Sequence, residues 1–279
     1  MTVARIDSHQ HFWRLSRGDY DWMSPKLKAI YRDFEPNDLE PYLKSHQVSK
    51  TVAVQAAATV AETEYLLKLT KKNDWIVGVV GWVNMTSPDA IATLDRLKAN
   101  PKLVGIRPMI QDIADPDWML SPELTPVFRW LEKNRLAFDA LVRPEHLKNL
   151  ARLLDRHDDL NAVIDHGGKP NIRERQFDAW AEDIAYLANN TRACCKLSGL
   201  LTEASIDAGY HELSPYIDWL LKCFGPGKLI WGSDWPVLNL AADYSRWVVL
   251  CEQALAPLPA ADQRKIWRDN AIAFYNLAI

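Results

Sequence analysis

The sequence predicts a closed barrel of eight parallel strands, each followed by a helical segment: the TIM-type (βα)8 architecture of the α/β class. Three observations predict it. Short β-branched or apolar runs alternate with stretches of helical period along the whole chain, and eight such runs are present. The 279 residues suit one barrel, which typically takes about 250, with room for loop insertions. Alternation without a repeat, a low-complexity tract or a long linker points to a parallel sheet. Eight strands favour closure over an open doubly wound sheet. Two ordinary domains would also fit on length alone, but with no linker to part them one domain over residues 1–279 is expected.

The expected strands, in order, are 4–8, 51–55, 76–83, 103–107, 136–142, 162–166, 194–198 and 229–234. Between them the apolar residues recur with helical spacing: Leu66, Leu67 and Leu69; Ile91, Leu94 and Leu97; Val127, Trp130 and Leu131; Leu147, Leu150, Leu153 and Leu154; Trp180, Ile184 and Leu187; Ile217, Leu220 and Leu221. Ser87-Pro88 and Ser121-Pro122 combine a cap with a proline, as helix starts do. Residues 11–37 and 112–118 read as long loops.

Composition excludes several classes. Lys plus Arg is 33 and Asp plus Glu 36, a net charge of −3, so a strongly basic nucleic-acid or membrane-surface protein is not the expectation. There is no run of about 18 apolar residues to span a bilayer. The start, MTVARIDSHQHFW, lacks the charged-then-apolar pattern of a signal segment. The four cysteines form no CxxC pair, so neither a disulfide framework nor a thiolate metal site is suggested. A soluble, cytoplasmic protein with a small-molecule partner is expected, with no nucleic-acid or membrane partner. The 12 tryptophans suit an aromatic-lined pocket or a well-filled core.

In a barrel the active site lies where the strands end, at the carboxyl face. The first strand ends Asp7-Ser8-His9-Gln10-His11. Residues two apart share a side of a strand, so His9 and His11 project together into the mouth. Asp7 lies a layer below, placed to orient a histidine from behind. Two imidazoles at this spacing can grip one metal ion or one anionic atom; the plainer alternative is a pair of core or surface histidines. The sixth strand ends Val163-Ile164-Asp165-His166 before Gly167-Gly168-Lys169-Pro170. His166 would enter the same mouth, while Asp165, pointing the other way, reads as a structural acceptor. On the eighth, alternation turns Ile230, Gly232 and Asp234 inward. Asp234 is then a metal ligand or general base rather than a helix N-cap.

Other strand ends add charge. Arg107, in Gly105-Ile106-Arg107-Pro108, sits at the mouth. Asp139, Leu141 and Arg143 share a parity, which brings Arg143 toward the rim, with capping and packing beside Pro144 as its alternative. Lys196 shares a parity with Ser198. A lysine inside a barrel is costly unless paired, so it meets either a ligand or a carboxylate such as Asp139 or Glu203. Trp13 and Trp235 flank the motifs, ready to stack on a ring or to pack. His46, His146, His157 and His211 read as solvated or capping. No Gly-rich phosphate loop, GxSxG elbow or HExxH is present.

The motifs DSHQH, GIRP, FDALVRPEHL, VIDHGGKP, CCKLSGL and WGSDWP, with a closing DNAIAFYNL, resemble the amidohydrolase superfamily over nearly the whole chain. Within it they are similar to the lactonase-type branch, nearest its L-fuconolactone hydrolases. The resemblance implies a barrel and hydrolysis at a carbonyl by an activated water. It makes His9 and His11 the first-strand pair, His166 the mid-barrel histidine and Asp234 the last-strand aspartate. It implies at most one divalent ion, zinc or manganese, held by His9, His11, His166 and Asp234. Some lactonases of this type work without metal, so the expectation is an ion that can bind but is not required. No organic cofactor is implied.

The implied reaction is hydrolysis of a sugar lactone to its open-chain acid in sugar catabolism. Asp234 would take the proton from water and pass it to the ring oxygen, with His9, His11, His166 and Arg107 stabilising the oxyanion. Trp13, Arg143, Lys196 and Trp235 would bind the sugar. Three readings compete: a metal-dependent non-oxidative decarboxylase, a hydrolase of a dicarboxylate lactone, and a non-catalytic sugar-binding protein. The first two call for carboxylate-binding arginines, of which Arg107 is the clear example. The third has no use for an inward set of histidines and aspartate. Sugar identity, ring size and oligomeric state are left open.

Overall fold

The structure is a computed structural model describing residues 4–279, in which eight strands form one sheet in sequential order. They are β1 Arg5–Gln10, β2 Val48–Val54, β3 Ile76–Gly81, β4 Leu103–Ile106, β5 Ala137–Ala140, β6 Ala162–Ile164, β7 Cys194–Leu197 and β8 Leu229–Trp231. Each consecutive pair is parallel. The circuit closes just beyond β8, where Trp235 pairs with Gln10. There the backbone N–H groups of His11 and Asp234 donate to the carbonyls of Trp235 and His9 at 2.7 and 2.8 Å. The result is the expected (βα)8 barrel. β6 stops short of the expected 166, where the backbone turns left-handed at His166 (φ 54°), and β8 ends at Trp231, before a second left-handed residue at Asp234 (φ 60°).

The helices are α1 Pro36–Ser45, α2 Val60–Leu69, α3 Ala90–Lys98, α4 Thr125–Asn134, α5 Leu147–Arg156, α6 Asp178–Asn190, α7 Leu200–Glu203, α8 Tyr210–Lys228, α9 Tyr244–Leu255, α10 Ala260–Arg264 and α11 Asn270–Tyr275. Their apolar stripes face the sheet. In α5, for example, Leu147, Leu150, Leu153 and Leu154 are all buried, as the spacing requires. Thr59 and Asp243 cap α2 and α9 by accepting the N–H groups of Glu62 and Arg246. Ser121-Pro122 opens a single 3-10 turn that runs into α4. Ser87-Pro88 precedes a turn, and α3 begins only at Ala90.

A small core fills the barrel interior with Ile6, Val52, Val80, Val163 and Ile230, and Tyr275 and Leu277 from the chain's end pack against it. The larger core lies between sheet and helices. This leaves the carboxyl ends of the strands for polar side chains. No described helix is long and apolar enough to cross a membrane.

Candidate active site

The end of β1 carries His9 and His11 into the mouth, with His9 wholly buried and His11 2% exposed. Room for His9 depends on Gly232, where an added Cβ would stand 2.6 Å from the His9 Cβ. Asp7 lies below and behaves differently from the expectation. It accepts from the backbone N–H of Ser233 at 2.9 Å, from that of His9 at 3.2 Å and from the Tyr244 hydroxyl at 3.0 Å. It ties the β1–β8 seam instead of orienting an imidazole. Burial pushes its carboxyl up to about 6 against those hydrogen bonds.

After β6, His166, Gly167, Gly168 and Lys169 all have positive φ. This left-handed run cancels strand alternation, so Asp165 and His166 both point into the barrel, and the expected outward Asp165 is corrected. Asp165 forms an ion pair with Lys196 Nζ at 2.9 Å and accepts a hydrogen bond from Arg107 Nη1 at 3.3 Å. His166 Nδ1 lies 2.9 Å from the Ser198 hydroxyl. Gly199 is required beside it, since a Cβ there would come within 2.4 Å of that nitrogen.

Three imidazoles converge on one carboxylate oxygen. Asp234 Oδ1 is 3.2 Å from His11 Nε2, 3.6 Å from His9 Nε2 and 3.8 Å from His166 Nε2. Burial alone would raise the Asp234 carboxyl, but His166, His11 and His9 hold it well below the ordinary carboxylate range. Burial also lowers His166, to about 4 despite Asp234, and lowers His9, aided by Lys196. At neutral pH the group is an ionised carboxylate beside two neutral rings.

The fit to a metal ion follows from His11. Its Nδ1 faces the Val54 carbonyl at 2.8 Å and so donates there, leaving Nε2 as an acceptor toward Asp234. Two acceptors 3.2 Å apart call for a cation or a second proton between them. His9, His11 and Asp234 each offer one ligand atom, all within 4.8 Å of one another, and the Val54 contact is the outer-shell support a metal-bound histidine needs. This donor set suits one divalent ion.

Beneath lies a buried cationic floor. Lys196 Nζ is 2.5 Å from Asp139, 2.9 Å from Asp165 and 2.9 Å from His9 Nδ1, and the Tyr275 hydroxyl donates to Asp139 at 2.7 Å. Lys196 is therefore a lower-layer ion-pair residue with no exposure, and the expected contact with a sugar is corrected. Glu203, its other candidate partner, pairs with Lys169 at 2.8 Å instead. Lys196→Met leaves Asp139 buried without its cation and Asp165 with Arg107 alone, so the barrel is expected to lose about 3–5 kcal/mol, measurable by urea unfolding. A loss under about 1 kcal/mol would show that the two carboxylates can share a proton instead.

Above the histidines opens a cavity of about 270 Å³, at the small end for ligand pockets, which run from roughly 300 Å³. Its floor is His11, Arg107, His166 and Asp234. Arg107 Nη1 also reaches His9 Nε2 at 3.2 Å. The polar rim is Gln111, Asp112, Lys169, Thr202 and Glu203; the apolar wall includes Trp22, Leu27, Leu141, Val237 and Leu240. Three expected sugar contacts lie elsewhere. Trp13 and Trp235 are 0% and 1% exposed and pack edge-on against Phe34, because the loop after β1 folds back and pairs Trp13 with Phe34. Arg143 is half exposed and faces Asp112 at 3.8 Å. The tryptophan that lines the cavity is Trp22, which sequence reasoning missed. No periodic signal marks it within a long loop. Thr202 and Glu203 stand one residue beyond the CCKLSGL motif, within reach of that signal.

The geometry agrees with comparisons to known proteins. A profile of the amidohydrolase family matches residues 6–277. The chain is 43% identical over 277 residues to an L-fucono-1,5-lactonase of Burkholderia ambifaria, covering 98% of this chain and 96% of the relative. It is 35% identical to an L-fucono-1,5-lactonase of Burkholderia multivorans, covering 99% and 97%. The crystal structure of an amidohydrolase from Burkholderia multivorans with bound zinc superposes with a TM-score of 0.91 at 34% identity, covering 99% of this chain and 100% of that one.

Proposed function

The chain belongs to the amidohydrolase family, and from that premise we propose that it hydrolyses a neutral sugar lactone, of the L-fuconolactone type, to the open-chain acid. The observation that carries this reading is the convergence of three imidazole nitrogens within 3.8 Å of one Asp234 carboxylate oxygen at the floor of a small cavity. Continuous titration of acid released from a panel of neutral aldonolactones tests it. All the groups used come from one barrel domain. Four free cysteines suit the reducing cytoplasm, where the reaction serves sugar catabolism.

The chemistry runs as follows. The lactone carbonyl lies over the floor, its oxygen toward Arg107 and the imidazoles. Water attacks the carbonyl carbon as Asp234 accepts its proton, and a tetrahedral oxyanion forms. Arg107, a cation on the same floor, and the imidazole N–H groups that face the carbonyl stabilise that oxyanion. The bond from carbon to ring oxygen then breaks, and Asp234 returns the proton to that oxygen. The product is one hydroxy acid.

A divalent ion on His9, His11 and Asp234, with His166 beside them, would supply Lewis acidity at the carbonyl and a more acidic water. The residues themselves already carry much of that load. Arg107 Nη1 stands 3.2 Å from His9 Nε2 and Lys196 Nζ 2.9 Å from His9 Nδ1, so a second cation at this ring meets like charge. An ester is also an easy carbonyl to open. Protein stripped by chelator and assayed for residual metal is expected to keep most of its lactonase activity. Loss on stripping, restored by zinc or manganese, would return the histidines to the role of essential ligands.

A further inference from the structure

We propose that Trp22 is a specificity-determining contact of this site, offering ring surface to the C–H face of the bound lactone, and that Glu62 is the positioning residue that holds it there. The proposal rests on the sugar-lactone reading above. Trp22 lies in the loop between β1 and α1, is 37% exposed and lines the cavity with Leu27 and Ala56. Its other groups are committed. The indole N–H donates to the Ala56 carbonyl at 2.7 Å, and the ring meets Trp13 edge-on with centroids 5.8 Å apart. A tryptophan whose one polar atom is occupied shows the cavity only carbon. A sugar ring has faces made of C–H groups that match such a surface, while its hydroxyls project around the edge.

The seat of Trp22 is built from the start of α2. Glu62 is fully buried, and its Oε2 accepts the backbone N–H groups of Ala56, at 3.1 Å, and of Ala57. Glu62 thus fixes the peptide whose carbonyl holds the indole. Thr59, the cap of α2, donates to Asp19 Oδ2 at 2.7 Å, and Arg17 pairs with the same oxygen at 2.5 Å. The chain on either side of the indole contact is therefore tied to one helix end. A contact to an unreacting face of the substrate acts equally in ground and transition states, so it moves KM and leaves kcat nearly alone.

The test is steady-state kinetics on a neutral aldonolactone. Trp22→Ala is expected to raise KM about tenfold or more, with kcat changed by less than about threefold. Trp22→Phe keeps an aromatic face but loses the N–H anchored on Ala56, so its KM is expected between those of wild type and Trp22→Ala. Glu62→Ala should raise KM in the same direction, and Glu62→Gln, whose amide oxygen still accepts the two N–H groups, should restore it. If Glu62→Ala does not fold, Glu62→Gln alone decides, and a tenfold KM rise there overturns the positioning role. An unchanged KM in Trp22→Ala, or a fall in kcat equal to that in kcat/KM, overturns the stacking contact, and a Phe variant with wild-type KM overturns the Ala56 anchor and the positioning role of Glu62 with it. Wild-type turnover with those results overturns this inference alone; no wild-type turnover of any neutral lactone overturns the lactonase reading and this one with it.

Discussion

Asp234→Asn is expected to cut lactone turnover by at least about 10²-fold with the barrel intact. Asparagine keeps the shape of the side chain and one oxygen to face the imidazoles, and loses the proton affinity. The effect should be large because, among the described residues, Asp234 is the carboxylate on the cavity floor. Asp165 lies a layer lower, bound by Lys196 and Arg107, and Asp112 and Glu203 sit at the rim. The variant's circular dichroism and melting temperature separate a chemical loss from an unfolded one. Near-normal turnover in a folded variant would remove Asp234 from the chemistry and leave the three imidazoles to be explained some other way.

Neutral aldonolactones are expected to beat dicarboxylate lactones of the muconolactone or pyrone kind by roughly 30- to 150-fold in kcat/KM. The charged side chains lining the cavity are Arg107 and Lys169 against Asp112, Glu203 and Asp234. Both cations are engaged: Arg107 with Asp165, and Lys169 with Glu203 at 2.8 Å. A second carboxylate on the substrate would meet more negative charge than positive, and one unmatched charged contact in a partly dry site is worth about 2–3 kcal/mol. Arg143 does not line the cavity and faces the rim residue Asp112 at 3.8 Å. The comparison is made at one pH and low salt. If a dicarboxylate wins, Lys169 must leave Glu203 to bind it, and the neutral-sugar reading falls.

Much of this was legible in the sequence, and the reasons differ by residue. Strand periodicity located all eight strands to within a few residues. Alternation along the first barrel strand is enough to turn His9 and His11 into the mouth, whereas Asp234 enters it from beyond the end of β8 through a left-handed residue, which parity does not carry. The same rule misjudged Asp165, because the left-handed backbone from His166 to Lys169 is a tertiary demand that a parity count does not carry. It also left Lys196 undecided between ligand and carboxylate, since that depended on where Asp165 pointed. Trp13 and Trp235 stand beside the motifs as natural stacking groups, but proximity in sequence does not say which aromatic a long loop buries. The pairing of Trp13 with Phe34 buries one and leaves Trp22 at the cavity.

The central claim is that water opens a neutral sugar lactone over Asp234. The most direct test is a pH-stat measurement on wild-type protein with L-fucono-1,5-lactone, following acid release and dissolved carbon dioxide together. The account predicts one equivalent of acid per lactone consumed, at a rate proportional to enzyme, and no carbon dioxide. Lactone opening no faster than the spontaneous reaction, or carbon dioxide released from the substrate, would contradict it.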